Sequence, residues 1–335
     1  MLSYVVRRLL LMLLVLFGVT LITFMLTHVV PVNPVLALVG DRAPQEVVDR
    51  VYHELGLDQP LPVQYLIYLN GLLHCDLGTS IAGQRPVLQD LRQYLPATLE
   101  LSLAAILVAV LAGIPTGVVS AVYRNRWPDH LVRLFALGGV SIPVFFTALV
   151  FLGIFYVTLG WLPGPGQISP YLAPPPRVTG MLVLDAALAG QWRTAFDALD
   201  HLVLPALVLG WSSAGVIARM TRSSLLEVLG TDYVRTARAK GLPERVVVLW
   251  HALRNALIPT ITVVGLAFGS LLQGAVLTET IFAWPGIGRY ATLSVTSIDV
   301  PAVLGVTLVA AVIYSAVNLI VDVLYVYVDP RIRYG

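Results

Sequence analysis

The sequence has one cysteine, Cys75, one lysine, Lys240, and only 12% charged residues. A lone thiol forms no disulfide within the chain and no thiolate metal cluster, so Cys75 reads as a small half-buried hydrophobe. The lysine follows Ala239 and precedes Gly241, whereas a phosphate-binding P-loop needs Gly-Lys-Ser/Thr. The chain therefore has no conventional ATPase site of its own. There is no His-Glu-x-x-His pair and the six histidines are scattered, which gives no sequence basis for a metal. Ser212 and Ser213, with His201 or His251 as a conceivable base, are the one suggestion of a nucleophile. His201 lies about two to three helical turns from Ser212 on the same helix, and His251 falls in a loop. Serine in a membrane helix ordinarily serves packing and hydrogen bonding, and these two are read that way.

What is abundant is apolar sequence: 57% of residues are hydrophobic, and a soluble domain would carry roughly twice the charge, about 25%. Six stretches contain no Asp, Glu, Lys or Arg: Leu9–Val30, Leu101–Tyr123, Leu134–Leu162, Leu202–Ala218, Ala256–Thr278 and Val300–Val321. Each reaches or nearly reaches the ~20 residues that span hydrocarbon as a helix. The fourth is the shortest and carries Pro205. Helices are required, because hydrocarbon offers no water to unpaired backbone groups. The expected fold is an all-α polytopic membrane protein with six transmembrane helices. The first stretch follows Arg7 and Arg8 but is too long for a signal-peptide core and lacks a small-x-small cleavage site, so it reads as a retained helix.

Basic residues set the orientation. With the N-terminus inside, the inner segments hold 14 Lys and Arg and the outer ones 7, so both termini are expected in the cytoplasm of a cell inner membrane. Residues 219–254 contribute most, with seven basic residues against three acids. Such a surface suits anionic membrane lipid and not nucleic acid.

The first outer segment, residues 31–97, is long and acidic, with seven Asp and Glu against four Arg. Pro44-Gln45-Glu46 opens a helix that Gly56 ends; Val47, Val48, Val51, Tyr52 and Leu55 repeat along it at helical spacing. Pro62–His74 is apolar and aromatic and suits the membrane surface, and Pro86–Tyr94 suits a third short helix. The segment is expected to be a small extracytoplasmic helical subdomain, either a partner's dock or a lid over helix ends. The division is a first helix over 1–30, the subdomain over 31–97, a five-helix core over 98–328 and a tail over 329–335. Residues 161–200, rich in Pro and Gly, form a fixed irregular connection. The last outer segment carries Glu279, Phe282, Trp284, Pro285, Gly286, Gly288 and Arg289. Its aromatics suit an interfacial anchor, with an outer gate as the functional alternative.

Residues 231–259 are the most informative. Thr231 is an N-cap candidate, Asp232 sits in the first turn, and a short helix runs through Tyr233, Arg235, Thr236, Ala237, Arg238, Ala239 and Lys240 to Gly241. Gly241 occupies the position where a positive φ ends a helix. Pro243 and Glu244 then start another helix that returns to the bilayer. A short polar helix held between two spans is a handle for a soluble motor.

Ionisable residues within the spans are few. Glu100 and Asp200 lie at outer helix ends within reach of water. Asp322, with Asn318 one turn earlier, lies near the inner end of the sixth span, where Arg331, Arg333 or Arg219 can neutralise it. The remaining polar side chains are neutral, among them Thr23, Thr27, Ser270, Gln273 and Thr307. A route lined this way moves a substrate without holding it tightly.

Several motifs together resemble a known family. They are ELGLDQPL (54–61), DLGTS (76–80), LPATLELS (95–102), ARMTRSSLLEVLGTDYVRTARAKGL (218–242), HALRNALIP (251–259), LTETIFAWPGIGR (277–289), NLIVDVLY (318–325) and DPRIR (329–333). Nearly end to end, the chain resembles a permease subunit of an ATP-binding-cassette importer of the peptide, nickel and glutathione uptake family, most of all the first permease of the dipeptide systems. The resemblance implies that residues 231–242 carry the coupling helix that docks on an ATPase subunit. It also implies a second homologous permease, two ATPase subunits that bind ATP and Mg, and an extracytoplasmic substrate-binding protein that meets residues 31–97. The chain itself would hold no cofactor and would not be an enzyme. The family's general Glu-Ala-Ala…Gly motif falls on Arg235, Thr236, Ala237 and Gly241, and matches only at Ala237 and Gly241; RTARAKG resembles the peptide-system version. Relatives often have Pro-Gly-Asp-Pro after the first helix, where this chain has Pro31-Val32-Asn33-Pro34, which weakens any role carried over to that acid.

The cargo expected from this resemblance is a dipeptide or short oligopeptide. RNRWPD (124–129) resembles the glutathione systems, and QRPVLQD (84–90) with IFAWPGIGRYA (281–291) the nickel ones. An ion-driven secondary transporter is the alternative of a different class. It would need paired ionisable residues in the membrane, and the sequence displays none.

Overall fold

The computed structural model describes residues 2–29, 44–54, 56–272 and 275–328, with side chains for 6–26, 44–50, 52–53, 56–272 and 275–321. Thr27, Pro31–Pro34, Gln273, Asp322, Arg331, Arg333 and the tail over 329–335 therefore lie outside the described residues or side chains. The described chain is helical, without strands; one isolated bridge joins Thr79 and Pro86.

Helix α1 (Leu2–Val29) is followed by α2 (Gln45–Glu54) and α3 (Leu61–Leu73). Gly56, at φ +65°, ends α2 as its sequence position requires. The aromatic α3 packs against α1: the Tyr65 and Tyr68 hydroxyls lie 3.0 and 3.1 Å from the Thr20 and Thr23 hydroxyls, and the Phe24 ring meets both tyrosines. The hydroxyl pairs hold a polar edge that the apolar surroundings would otherwise penalise.

Helix α4 (Val87–Val122) absorbs the separate short helix expected over Pro86–Tyr94 and continues through Pro96 into the membrane. Proline has no N–H for the carbonyl one turn earlier. Arg177 supplies the missing donor from the Pro/Gly-rich connection, bonding the Arg92 and Gln93 carbonyls at 3.0 Å each. That long-range donor makes a continuous helix possible.

The third apolar stretch is not one straight span. Helix α5 (Trp127–Ser141) stops at Ile142–Pro143, and α6 (Val144–Phe151), prolonged by a π-helical run (Leu152–Thr158), leaves at 106° to it. Ile142 is extended at ψ 127°, as a residue before proline prefers. Among the described residues five helices are long and apolar enough to cross a membrane, and a sixth is counted only if this bent pair is taken as one.

Helix α7 (Leu182–Leu188) leads to the central α8 (Trp192–Leu229), which packs on α4, α5, α6, α7 and α11. Glycines bring α4 and α8 together. A Cβ on Gly117 would meet the Ala218 carbonyl at 2.6 Å, and one on Gly210 the Ala105 carbonyl at 2.9 Å. Close backbone approach through small residues is how helices associate in apolar surroundings, where burial of apolar surface gives little drive. The chain continues through α9 (Asp232–Ala239), α10 (Glu244–Val246), a π-helical run (Val247–Ala252), α11 (Leu253–Leu272), α12 (Val276–Ile281), α13 (Ile287–Thr296) and α14 (Val300–Val328). Helix α14 packs on α1 and α11.

Candidate functional site

Helix α9 has two faces. Val234 and Ala237, three residues apart, are buried in a cluster with Ala121 of α4, Leu225 of α8 and Val247, Val248, Ala252 and Ala256. Asp232, Tyr233, Arg235, Thr236, Arg238, Ala239, Lys240 and Gly241 are exposed. The sequence placed all nine on a docking helix; the structure presents eight and assigns Ala237 to the cement beneath them.

Both ends of α9 are fixed. Thr231 takes the extended N-cap conformation, but its hydroxyl turns back to the Val228 carbonyl (2.6 Å) and caps nothing. The helix is joined to α8 by that bond. At the other end Gly241 sits at φ +78°. Its N–H bonds the Arg238 carbonyl at 2.9 Å and the Leu242 N–H reaches the Ala237 carbonyl at 3.4 Å, the paired bonds of a Schellman ending. Arg238 grips Glu244 across the turn (2.6 and 3.1 Å), and the Asn255 amide donates to the Tyr233 hydroxyl at 2.7 Å. The exposed face is thus tied to both α8 and α11.

The cluster beneath α9 adjoins a buried carboxylate that the sequence reading missed. Asp129 is fully buried near the start of α5. It accepts two bonds from Arg222 (2.9 and 3.0 Å), one from Arg133 (3.1 Å), one from the Ser120 hydroxyl (2.5 Å) and one from the Asn125 N–H (2.9 Å). It ties α4, α5 and α8 at one level. Its i,i+4 relation to Arg133 was the available signal; Arg222, 93 residues away, left no local trace.

At the opposite end Glu279, Phe282 and Trp284 form a clamp and not the expected interfacial anchor. Trp284 is fully buried and Phe282 nearly so. The Trp284 indole donates to the Ala97 carbonyl at 2.8 Å, and Phe282 packs with Ala148, Leu204 and Val208. Glu279, fully buried, accepts from Thr98 (2.8 Å) and from the Arg289 N–H (3.0 Å), while Ile287 N–H donates to Thr98. Burial pushes the Glu279 carboxyl above its ordinary range, against these donors. Pro285 carries a tight turn, with Gly286 N–H bonding the Trp284 carbonyl at 2.8 Å. A Cβ at Gly286 would fall 2.4 Å from the Glu279 carboxyl carbon, and one at Gly288 2.8 Å from Val276 Cα. Arg289 reaches the Ala283 carbonyl at 2.8 Å.

Two more acids pin segments at this same end of the bundle. Asp299 accepts from the Ser80 hydroxyl (2.5 Å) and the Ile81 and Ala82 N–H groups (3.1 Å each), joining the segment before α4 to the start of α14. Glu100, expected to reach water, is buried and accepts the N–H groups of Leu182 and Val183 at the start of α7 (3.2 and 2.8 Å). Of the candidate pathway residues, Ser270 is exposed on α11 and Asn318 half-buried on α14; the structure forms no hydrogen bond to either among the described residues.

Comparison with known proteins finds two family models. "Binding-protein-dependent transport system inner membrane component" matches residues 113–334, and the N-terminal model for membrane components of such systems matches residues 1–103. A probable D,D-dipeptide transport system permease protein of Escherichia coli is 52% identical over 322 residues, covering 96% of this chain and 95% of that one. A dipeptide transport system permease protein of Alkalihalophilus pseudofirmus is 46% identical over 334 residues, all of both chains. A glutathione transport system permease protein of Salmonella paratyphi A is 40% identical over the same length, again all of both.

Proposed function

Because the chain belongs to the family of binding-protein-dependent transport system inner membrane components, we propose that it is the membrane permease of an ATP-driven importer of dipeptides or short oligopeptides. The observation that carries this reading is α9, a short polar helix with an exposed face, cemented into the bundle through Val234 and Ala237 and joined to both α8 and α11. Relatives at 46–52% identity are named for dipeptide and D,D-dipeptide transport, and that favours peptide over nickel or glutathione.

In this reading the bent pair is one of six spans, both termini lie in the cytoplasm, and α9 faces two ATPase subunits that bind ATP and Mg. A second homologous permease completes the route. A binding protein delivers cargo to the outer face around residues 31–97, and the clamp of Glu279, Thr98 and Trp284 holds the outer ends of the helices in register. Closure of the ATPases pushes α9, and the rigid joints pass the movement to α8 and α11, which open the route to one side and then the other.

Uptake of a labelled dipeptide by cells deleted for this gene tests the cargo. Loss on deletion, rescue by the wild-type chain and competition by unlabelled dipeptide but not by nickel or glutathione are the expected results. Unchanged dipeptide uptake in the deleted strain would remove peptides as the cargo.

A further inference from the structure

Pro96 sits on the seam between two separately packed halves of α4. Before it, Val87 and Leu91 are buried with Ile287 and Tyr290 of α13 and Ala302 and Val306 of α14. Tyr94 stacks on Tyr290 at 4.8 Å, and Asp90 accepts the Tyr290 hydroxyl at 3.1 Å. After it, Ala97, Leu101 and Ala105 pack with Leu202, Ala206 and Leu209 of α8, and Ala109 with Ala214 and Ile217 further along the same helix. The bonds of Ala97 with Trp284 and of Thr98 with Glu279 fall within two residues of the proline. A bend centred on Pro96 displaces them least, so they lie at its pivot.

Proline leaves the Arg92 carbonyl without its helical donor, and sharp helix bends gather at such positions. The donor comes from a strap built to deliver it. Pro174, Pro175 and Pro176 fix the main chain just before Arg177. Just after it, the buried Asp185 carboxylate accepts the N–H groups of Val178, Thr179 and Gly180 (3.2, 2.7 and 2.9 Å) and the Thr179 hydroxyl (2.7 Å). Gly180, at φ +82°, lays the strap's main chain on the proline ring: a Cβ there would fall 2.8 Å from Pro96 Cγ. Glu100, one turn past Pro96, holds the strap's far end through Leu182 and Val183. Arg177 itself is exposed, so water can take its place on the two carbonyls.

We propose that Arg177 is a positioning residue of the transport cycle. Bonded to the Arg92 and Gln93 carbonyls, it holds α4 continuous across Pro96. Its release lets the outer half of α4 swing with α13 and α14 against α8. This rests on the importer reading and adds to it a hinge that the cycle uses and the side chain that locks it. The lock suits a switch because it is the one part of the hinge open to water, while the bodies on either side keep their packing in both positions.

Hydrogen exchange tests it, on the assembled complex in lipid nanodiscs, at rest and trapped with ATP and vanadate. The amides of residues 97–100 report the opening of the hinge. Two bonds from a cation shift that opening about tenfold, so the wild type should exchange about tenfold faster in one of the two states than in the other. Arg177→Met, which has no donor, should show the faster rate in both. Pro96→Ala returns the missing N–H to the helix, and with or without Arg177→Met it should show the slower rate in both. An Arg177→Met chain as slow as the locked wild type, a double variant as fast as Arg177→Met, or wild-type rates indifferent to trapping would overturn the proposal. None of these rates involves cargo, so a failed dipeptide-uptake assay counts against the peptide reading alone.

Discussion

Ala239→Trp should abolish import while leaving the chain folded. Ala239 is exposed on α9 and outside the buried cluster, so an indole there disturbs no internal packing. Its cost in helix propensity is about 0.5 kcal/mol. On a docking face, a misfit at the centre of the contact is worth about 2 kcal/mol or more, so dipeptide uptake should fall more than about tenfold at unchanged protein level. Two neighbouring substitutions are poorer probes. Ala237→Arg puts a charge into the cluster of Val234, Leu225 and Val247, and the protein is lost before docking is tested. Gly241→Trp forces a side chain into φ +78°, which costs about 1–2 kcal/mol in any setting. Unimpaired uptake by the Ala239→Trp chain would show that this face of α9 is not gripped.

Asp129→Ala should destabilise the inner end of the bundle more than any other single removal of a polar group. Five donors converge on that carboxylate from α4, the turn after it, α5 and α8. Removing it leaves the Arg222 and Arg133 guanidinium groups facing each other without an acid. Breaking a buried pair costs about 3–5 kcal/mol. Arg222 and Arg133 are 23% and 45% exposed along their side chains, so water recovers part of this, and the lower end, about 3 kcal/mol, is expected. Thermal unfolding of the detergent-purified chain measures it. A double change, Asp129→Leu with Arg222→Leu, should recover part of the loss, because it removes the more buried of the two guanidinium groups together with the acid and leaves only the more exposed Arg133 unpaired. A single variant as stable as the wild type would mean that Asp129 is not buried among these donors.

Local pattern made α9 legible. Gly241 declared its positive φ, Pro243 the restart, and the run of polar residues the exposed face, because each depends on neighbours within one or two turns. Features set by distant partners were hidden. Trp284 beside Pro285-Gly286 has the composition of a surface anchor, yet its indole N–H finds the Ala97 carbonyl 187 positions away. Glu100 reads as a water-facing helix end until α7 brings two N–H groups to it, 82 and 83 residues on. The continuous α4 depends on Arg177 in the same way. The break at Ile142–Pro143 was readable in principle, since proline restrains the residue before it; the unbroken apolar composition of residues 134–162 outweighed that single sign. The resemblance motifs marked residues 231–242 as the expected docking helix, but the division between its exposed face and its buried cement needed the packing of Val234 and Ala237.

The most direct measurement of the central claim is a photo-cross-link from α9 in the assembled complex. Arg235 is exposed on that helix, and Arg235→Cys in the Cys75→Ser chain accepts a benzophenone at one position only. The account predicts an adduct with an ATPase subunit, with its yield altered by ATP and vanadate. Adducts confined to lipid or to the binding protein would contradict it, since α9 would then lie away from the motor it is proposed to serve.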